Sequence, residues 1–477
     1  MDAPAALPPR RRVSTRISAL YGAGAVAYGV KDFCFSTFLL LFYNQVLGLS
    51  AAQVGLVIGG ALIIDAFVDP AVGFLSDRTR SRWGRRHPWM YGAALPIGLG
   101  WLLLWNPPEW SAGALLGWLF VMAVLVRSAV SAYEVPSQAL SPELTSDYDD
   151  RTRIMAYRYV FGWGGGLGML ILTYGVFLSG PEGVLDRAGY VGFSVAGAAL
   201  IVGAILISAL GTHREIARLP KPPIVRQSLA GYLREMGDSL NNRAFLILMA
   251  GGLFYFVAQG VSFGLSNYLY VHVWRMAGSD FTWLGLVLLA GAVAAFAVAP
   301  RLGRALGKPK AAMLMLIGAA VLNGTPYWLR LAGMFPEPGD AAMMPTLYLF
   351  YFINGACGVS STILLASMLA DVVEHSEART GRRSEGLFFA GLFFIQKCTS
   401  GIGIALVGAI LSGIAFPTGA APGTVPVPVI DQLTIAFAAI YLGLGVTGAL
   451  CYRAFPFGRK EHDDRIALLA QAMPPQG

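Results

Sequence analysis

The stretch Asp65–Trp89, DAFVDPAVGFLSDRTRSRWGRRHPW, joins two features that rarely meet in one segment. Its first part completes an apolar run over 52–76 that nevertheless holds two carboxylates, Asp65 and Asp69. Its second part carries Arg78, Arg80, Arg82, Arg85 and Arg86. An apolar run of ~20 residues is long enough to cross a bilayer. Arginines gathered just past its end mark the side that stays in the cytoplasm. The stretch therefore reads as the inner end of a membrane span with two acids inside the membrane.

The rest of the chain repeats this pattern. Of its 477 residues, 56% are hydrophobic and only 13% charged, and the mean hydropathy is +0.60. A soluble protein carries about 25% charged residues. Twelve spans are predicted, at 18–42, 52–76, 88–106, 113–137, 154–178, 189–211, 243–271, 282–303, 310–332, 344–371, 386–414 and 431–454. The net charge of +8 does not point to nucleic acid, because the basic residues concentrate in alternate loops. With both termini inside, every loop pair obeys the positive-inside bias, and the loops outside hold only Arg187, Arg275 and Arg330. No cleavable signal peptide is evident: the segment after Arg10–Arg12 and Arg16 is too long for one. Cys34, Cys357, Cys398 and Cys451 lie in apolar segments without metal-type or CxxC spacing, and read as small core residues.

The sequence also divides in two. The polar stretch from Thr212 to Asn242, with LPKPP at Leu219–Pro223, is the longest connection. On either side similar loops return, SPELTSDYDDRTR at Ser141–Arg153 and ADVVEHSEARTGRR at Ala370–Arg383. The expected organisation is a tail over 1–17, a six-helix bundle over 18–211, a linker over 212–242, a second six-helix bundle over 243–454 and a tail over 455–477. Parallel repeats of six helices are a known transporter plan. The class is an all-α membrane protein.

Charges at the bilayer centre cost roughly 2.5–3.5 kcal/mol each on insertion scales, so those retained there need a reason. The spans hold Lys31, Asp32, Asp65, Asp69, Arg127, Glu134, Arg158 and Lys397. Asp65 and Asp69, four apart, share a helical face. Two such carboxylates either coordinate a monovalent cation through oxygens or raise one another's proton affinity. Both arrangements give ion coupling; a purely structural alternative has Asp69 capping a kink at Pro70 and Asp65 pairing with Lys397. Asp32 and Glu134 are candidates to accept substrate hydroxyls or to pair with Lys31 and Arg158. Arg127 either faces a cavity or pairs with Glu134 two turns on. A buried lysine needs a carboxylate, which makes Lys397 a link between the halves. GWGGGLG at Gly162–Gly168 lacks the GK[ST] ending of a phosphate loop and reads as a close helix contact. Trp101, Trp105 and Trp110 read as interfacial anchors. His87, His213, His272, His375 and His462 form no metal or triad spacing, which argues against an enzyme.

The Gly73-x-x-x-Asp77-Arg78 core of the opening stretch resembles the loop between helices two and three of the major facilitator superfamily. The wider pattern is similar to its glycoside–pentoside–hexuronide:cation symporter family, exemplified by the melibiose permease. Lys31-Asp32, Glu134-Val-Pro136, the acidic-Arg loop after it, Ala370-Asp371-Val-Val-Glu374 and Lys397 carry the resemblance along nearly the whole chain. It implies the major facilitator fold and a symporter that works by rocking of two six-helix bundles. It implies cation binding by Asp65 and Asp69, with H⁺ or Na⁺ as the coupling ion and no organic cofactor. It implies substrate binding by Asp32 and Glu134, with Lys31, Arg158 and Gln138 beside them and Lys397 between the cation and substrate sites. Ion pairs between the bundles among Asp77, Arg78, Glu143, Arg151, Asp371 and Arg379 would form the cytoplasmic gate. The implied substrate is a glycoside, pentoside or hexuronide taken up across a bacterial inner membrane.

Three departures stand out. Val68 stands where sodium-using relatives offer an amide, which leans the coupling ion toward H⁺; Glu134 replaces Asp, and Gln138 and Thr362 stand where the melibiose permease has tryptophans. The Glu-Val-Pro and Ala156-Tyr-Arg158 wording is also similar to animal lysolipid carriers. A carrier of an amphipathic solute, and a sensor that binds without transporting, are therefore the alternatives.

Overall fold

A computed structural model of the chain describes residues 13–145, 148–180, 183–218, 242–276, 278–380 and 385–456. The expected linker lies largely outside these, as do most of both tails. The described residues form thirteen α-helices. They are α1 (Thr15–Ala23), α2 (Ala25–Cys34), α3 (Ala51–Arg78), α4 (His87–Trp105), α5 (Ala112–Leu144), α6 (Tyr148–Leu172) and α7 (Gly189–His213). There follow α8 (Arg243–Tyr268), α9 (Ser279–Leu306), α10 (Lys308–Leu331), α11 (Met343–Thr380), α12 (Glu385–Gly413) and α13 (Val427–Tyr452).

The first predicted span is α1 and α2 together, interrupted at Gly24 and continued by π-helical turns at Phe35–Leu39 and Phe42–Val46. Each of the other predicted spans coincides with one helix from α3 to α13. Ten of these segments are long and apolar enough to cross a membrane. The short α4 is apolar along its outer face, where Leu95, Leu99 and Leu103 recur every four residues and stay exposed, as side chains that meet lipid do. Two helices run well past the hydrocarbon. At 33 and 38 residues, α5 and α11 are about 50 Å or more in length. Their C-terminal ends carry Glu143 and Asp371.

The chain forms two compact units, one of Met1–Leu39 and Ala61–Arg226, the other of Leu40–Gly60 and Gln227–Gly477. This differs from the expected boundary, because Leu40–Gly60 belongs with the second unit. The reason is local packing. A Cβ added at Gly55 or Gly59 would lie 3.0 Å from the Ile404 carbonyl or 2.8 Å from that of Gly401. The Asn44 carboxamide accepts from the Tyr268 hydroxyl at 2.8 Å, and Gln45 donates to the Pro417 carbonyl at 3.2 Å.

Within the first unit, α2 and α6 approach most closely at the glycines. A Cβ on Gly29 would stand 1.9 Å from the Gly162 carbonyl oxygen, and one on Gly166 only 2.5 Å from the Phe33 ring. GWGGGLG is thus a helix contact. Trp101 and Trp105 are not interfacial anchors: they are 0% and 1% exposed. Both pack with Phe35 and Phe193, and Trp105 also stacks on Tyr190. Gly197 leaves room for the Trp101 indole, which explains why so large a ring lies inside. Trp110, by contrast, is exposed and meets Trp118 edge to face. The second unit has its own apolar core around Phe245, Leu248, Tyr255, Met368, Phe388 and Tyr452.

The contact at Gly29 is backbone against backbone, so neither side can rotate away. Gly29→Ala should therefore destabilise the folded protein by about 1–3 kcal/mol, the usual cost of overpacking. Gly92→Ala, which meets nothing within 4 Å, should be close to neutral. Thermal unfolding of both purified variants in the same detergent checks this, and equal melting temperatures would contradict it.

Candidate functional site

The charged residues of the first unit's spans come together in ion pairs between and along helices. Asp65 lies fourteen residues into α3 and Arg127 fifteen residues into α5, each about 21–23 Å from the helix start. The two residues meet across α3 and α5. Arg127 Nη1 is 3.5 Å from Asp65 Oδ2, and the Ser131 hydroxyl donates to Oδ1 at 2.9 Å. The guanidinium also lies 5.1 Å from the centre of the Phe35 ring, a cation–π contact. Asp65 and Arg127 are 2% and 5% exposed. The expected pairing of Arg127 with Glu134 is therefore not the one seen.

Glu134 pairs instead with Arg158, whose Nη2 donates to Oε1. Arg158 Nη1 further donates to the Ser137 hydroxyl at 3.0 Å and to the Tyr21 hydroxyl at 3.2 Å. Gln138 donates to the same Glu134 Oε1 at 3.0 Å. Glu134 Oε2 is buried and has no hydrogen-bond partner among the described residues. A buried acceptor left this way costs about 1–3 kcal/mol, and a charged one more.

Lys31 is buried, with its ammonium 3.5 Å from Asp32 Oδ1 and 4.8 Å from the Tyr28 ring centre. The Asp32 side chain is 45% exposed, the most open of the cluster's paired acids. Asp69 lies one turn beyond Asp65 and is half-buried, next to Pro70 and Val68.

Sequence reasoning missed Tyr21, Tyr28, Ser131 and Ser137. They are neutral, and nothing in their spacing separates them from ordinary packing residues. In the second unit, Lys397 is half-buried on α12. A neutral network lies on α8, α11 and α13: the Tyr255 hydroxyl meets Thr362 Oγ1 at 3.0 Å, Gln259 donates to Tyr255 at 3.2 Å, and Tyr441 donates to Gln259 at 3.3 Å.

The acids expected at the gate have described partners within their own units. Asp77 pairs with Arg86 at 2.5 Å, and Glu143 takes Arg85 at 2.7 Å and Arg86 at 3.0 Å, all within the first unit. Asp371 takes Lys308 at 2.6 Å within the second. The Arg78 guanidinium sits 3.8 Å from the Phe74 ring centre. The side chains of Arg151 and Arg379 lie outside the described residues.

Long apolar helices around a buried charge cluster define a polytopic membrane transporter. The model of the family described as MFS/sugar transport protein matches residues 20–459. An uncharacterized symporter of Synechocystis sp. is 29% identical, over 93% of this chain and 94% of its own. The isoprimeverose transporter of Lactiplantibacillus pentosus is 26% identical over 90% of this chain and 88% of its own. The crystal structure of a D-xylose–proton symporter superposes with a TM-score of 0.63 at 15% identity, covering 92% of this chain and 97% of that one. The chain belongs to the MFS/sugar transport family and, within it, to the glycoside–pentoside–hexuronide:cation symporters. It has the major facilitator fold, and it is a secondary active transporter rather than an enzyme.

Removing one member of a buried ion pair strands the other. Glu134→Ala should cost about 3–5 kcal/mol by leaving the Arg158 guanidinium without its carboxylate. Adding Arg158→Gln should restore part of the loss, giving non-additivity of about 0.5–3 kcal/mol. Thermal unfolding of the two single variants and the double variant measures the coupling, and strict additivity would show that the pair does not act as a unit.

Proposed function

We propose that the protein couples the entry of a cation, H⁺ or Na⁺, to the uptake of a glycoside, pentoside or hexuronide by alternating access. The observations that carry the substrate side are the buried Glu134 Oε2, without a hydrogen-bond partner among the described residues, and the half-exposed Asp32 carboxylate. Carboxylate oxygens that still have acceptor capacity suit a ligand rich in hydroxyl donors. Arg158 and Lys31 hold the two acids by their other oxygens, and Gln138 adds an amide at the same place. Lys397 is assigned to the same task in the second unit. The isoprimeverose transporter among the relatives supports a sugar as the solute.

Asp65 and Asp69 form the coupling pair. They lie a turn apart on α3. Asp65 is held by Arg127 on α5, the helix that also carries Glu134, so the state of the ion site can bias that of the solute site. Asp77, Arg78, Glu143, Arg151, Asp371 and Arg379 act as the cytoplasmic gate, exchanging ion-pair partners as the carrier changes state. Elements with two discrete sets of partners suit a two-state switch. The setting is the bacterial inner membrane with both termini in the cytoplasm.

The test is uptake into proteoliposomes of labelled glycosides, pentosides, uronides and lysolipids, with sodium and pH gradients imposed separately. A sugar should accumulate against its gradient, and Asp69→Cys should abolish accumulation while leaving membrane insertion intact. Glu134→Ala should weaken solute binding at least ten-fold with little change in cation binding. Accumulation of lysolipids alone would replace the sugar reading, and full accumulation by Asp69→Cys would remove the coupling role.

A further inference from the structure

We infer that Arg127 is a resident counter-cation that keeps Na⁺ out of the Asp65/Asp69 pair and leaves the proton as the coupling ion. The inference rests on the coupling reading of that pair and adds to it the determinant of ion choice.

A site for Na⁺ needs oxygen ligands turned toward one point and a net negative charge to balance the ion. Asp65 cannot supply its share. Its Oδ2 faces the Arg127 guanidinium at 3.5 Å, and its Oδ1 accepts from the Ser131 hydroxyl at 2.9 Å. Arg127 is itself fixed, packed over the Phe35 ring and 5% exposed. A Na⁺ entering beside Asp65 would meet a like charge at contact distance where few waters screen it. A guanidinium also cannot lose its proton to make way, because it stays charged in proteins.

The other charges in the first unit's spans are Lys31 and Asp32 on α2, Glu134 on α5 and Arg158 on α6. A proton needs no coordination shell, whereas a metal ion needs several oxygens turned toward one point, and at Asp65 one of them faces the Arg127 guanidinium. Arg127 thus acts as a specificity-determining residue, and the proton is the ion that the pair exchanges.

The test uses purified full-length protein in lipid nanodiscs, with Na⁺ itself as the probe. Thermal unfolding is followed at fixed ionic strength while choline chloride is exchanged for up to 100 mM NaCl. A ligand that binds only the folded state raises the melting temperature as its concentration exceeds its Kd. The wild type and Arg127→Lys should show no Na⁺-specific shift. Arg127→Gln should gain a shift of about 3 °C or more, as ligand-induced stabilisation does. Adding Asp65→Asn to Arg127→Gln should abolish that gain. A Na⁺-specific shift in the wild type equal to that of Arg127→Gln would overturn the inference. So would a folded, monodisperse Arg127→Gln that gains none. The wild-type arm decides by itself if Arg127→Gln does not fold. Failure here is distinct from failure of the coupling reading, which falls only if Asp69→Cys still accumulates solute.

Discussion

Everything at the centre of this protein follows from one constraint: a charge in the bilayer interior must be answered by another within a few ångströms. The first unit meets it with three pairs, Lys31–Asp32, Arg127–Asp65 and Arg158–Glu134. Two of them join neighbouring helices, α3 to α5 and α5 to α6, so the ion pairs set the rotation of those helices about their axes. Neutral groups then take the remaining hydrogen bonds, as Ser131 does for Asp65 and Tyr21 and Ser137 do for Arg158. The cluster is not a set of independent sites; a change at one acid is felt by the arginine it holds and by that arginine's other partners.

Much of this was legible in the sequence, for a physical reason. Apolar length and loop arginines are one-dimensional signals, and they placed every span near its helix. Charged residues inside apolar runs are conspicuous because insertion disfavours them, so Lys31, Asp32, Asp65, Asp69, Arg127, Glu134, Arg158 and Lys397 could be picked out. Their partners could not. Arg127 and Glu134 are two turns apart on one helix, which makes them look like a pair, but side chains one turn apart are the ones that meet along a helix. The partner across the gap, Asp65, depends on which helices pack together, and spacing along the chain does not carry that. Trp101 and Trp105 misled for a related reason: tryptophans near a span end suit a membrane interface, and only the space opposite Gly197 shows that they turn inward.

The charged helix ends illustrate the same limit. Asp77, Glu143 and Asp371 were recognisable as ion-pair formers, while Arg85, Arg86 and Lys308 were three cations among many basic loop residues. The structure also assigns Leu40–Gly60 to the second unit, although it lies between two segments of the first. Small residues along Gly55–Gly59 make that packing possible, and hydropathy does not distinguish a glycine at a helix contact from one facing lipid.

The close approach of α2 and α6 at Gly29 and Gly162 has a consequence for recognition. With no side chain between the two backbones, the helices form a stiff bar, and the groups mounted on it keep fixed offsets from one another. Lys31 and Asp32 stand on one edge of that bar and Arg158 on the other. A solute held by both edges is read as if by calipers, through the spacing of its polar groups rather than their number. Epimers that differ in the direction of a single hydroxyl would present the same inventory of donors to such a gauge and still fail to fit it.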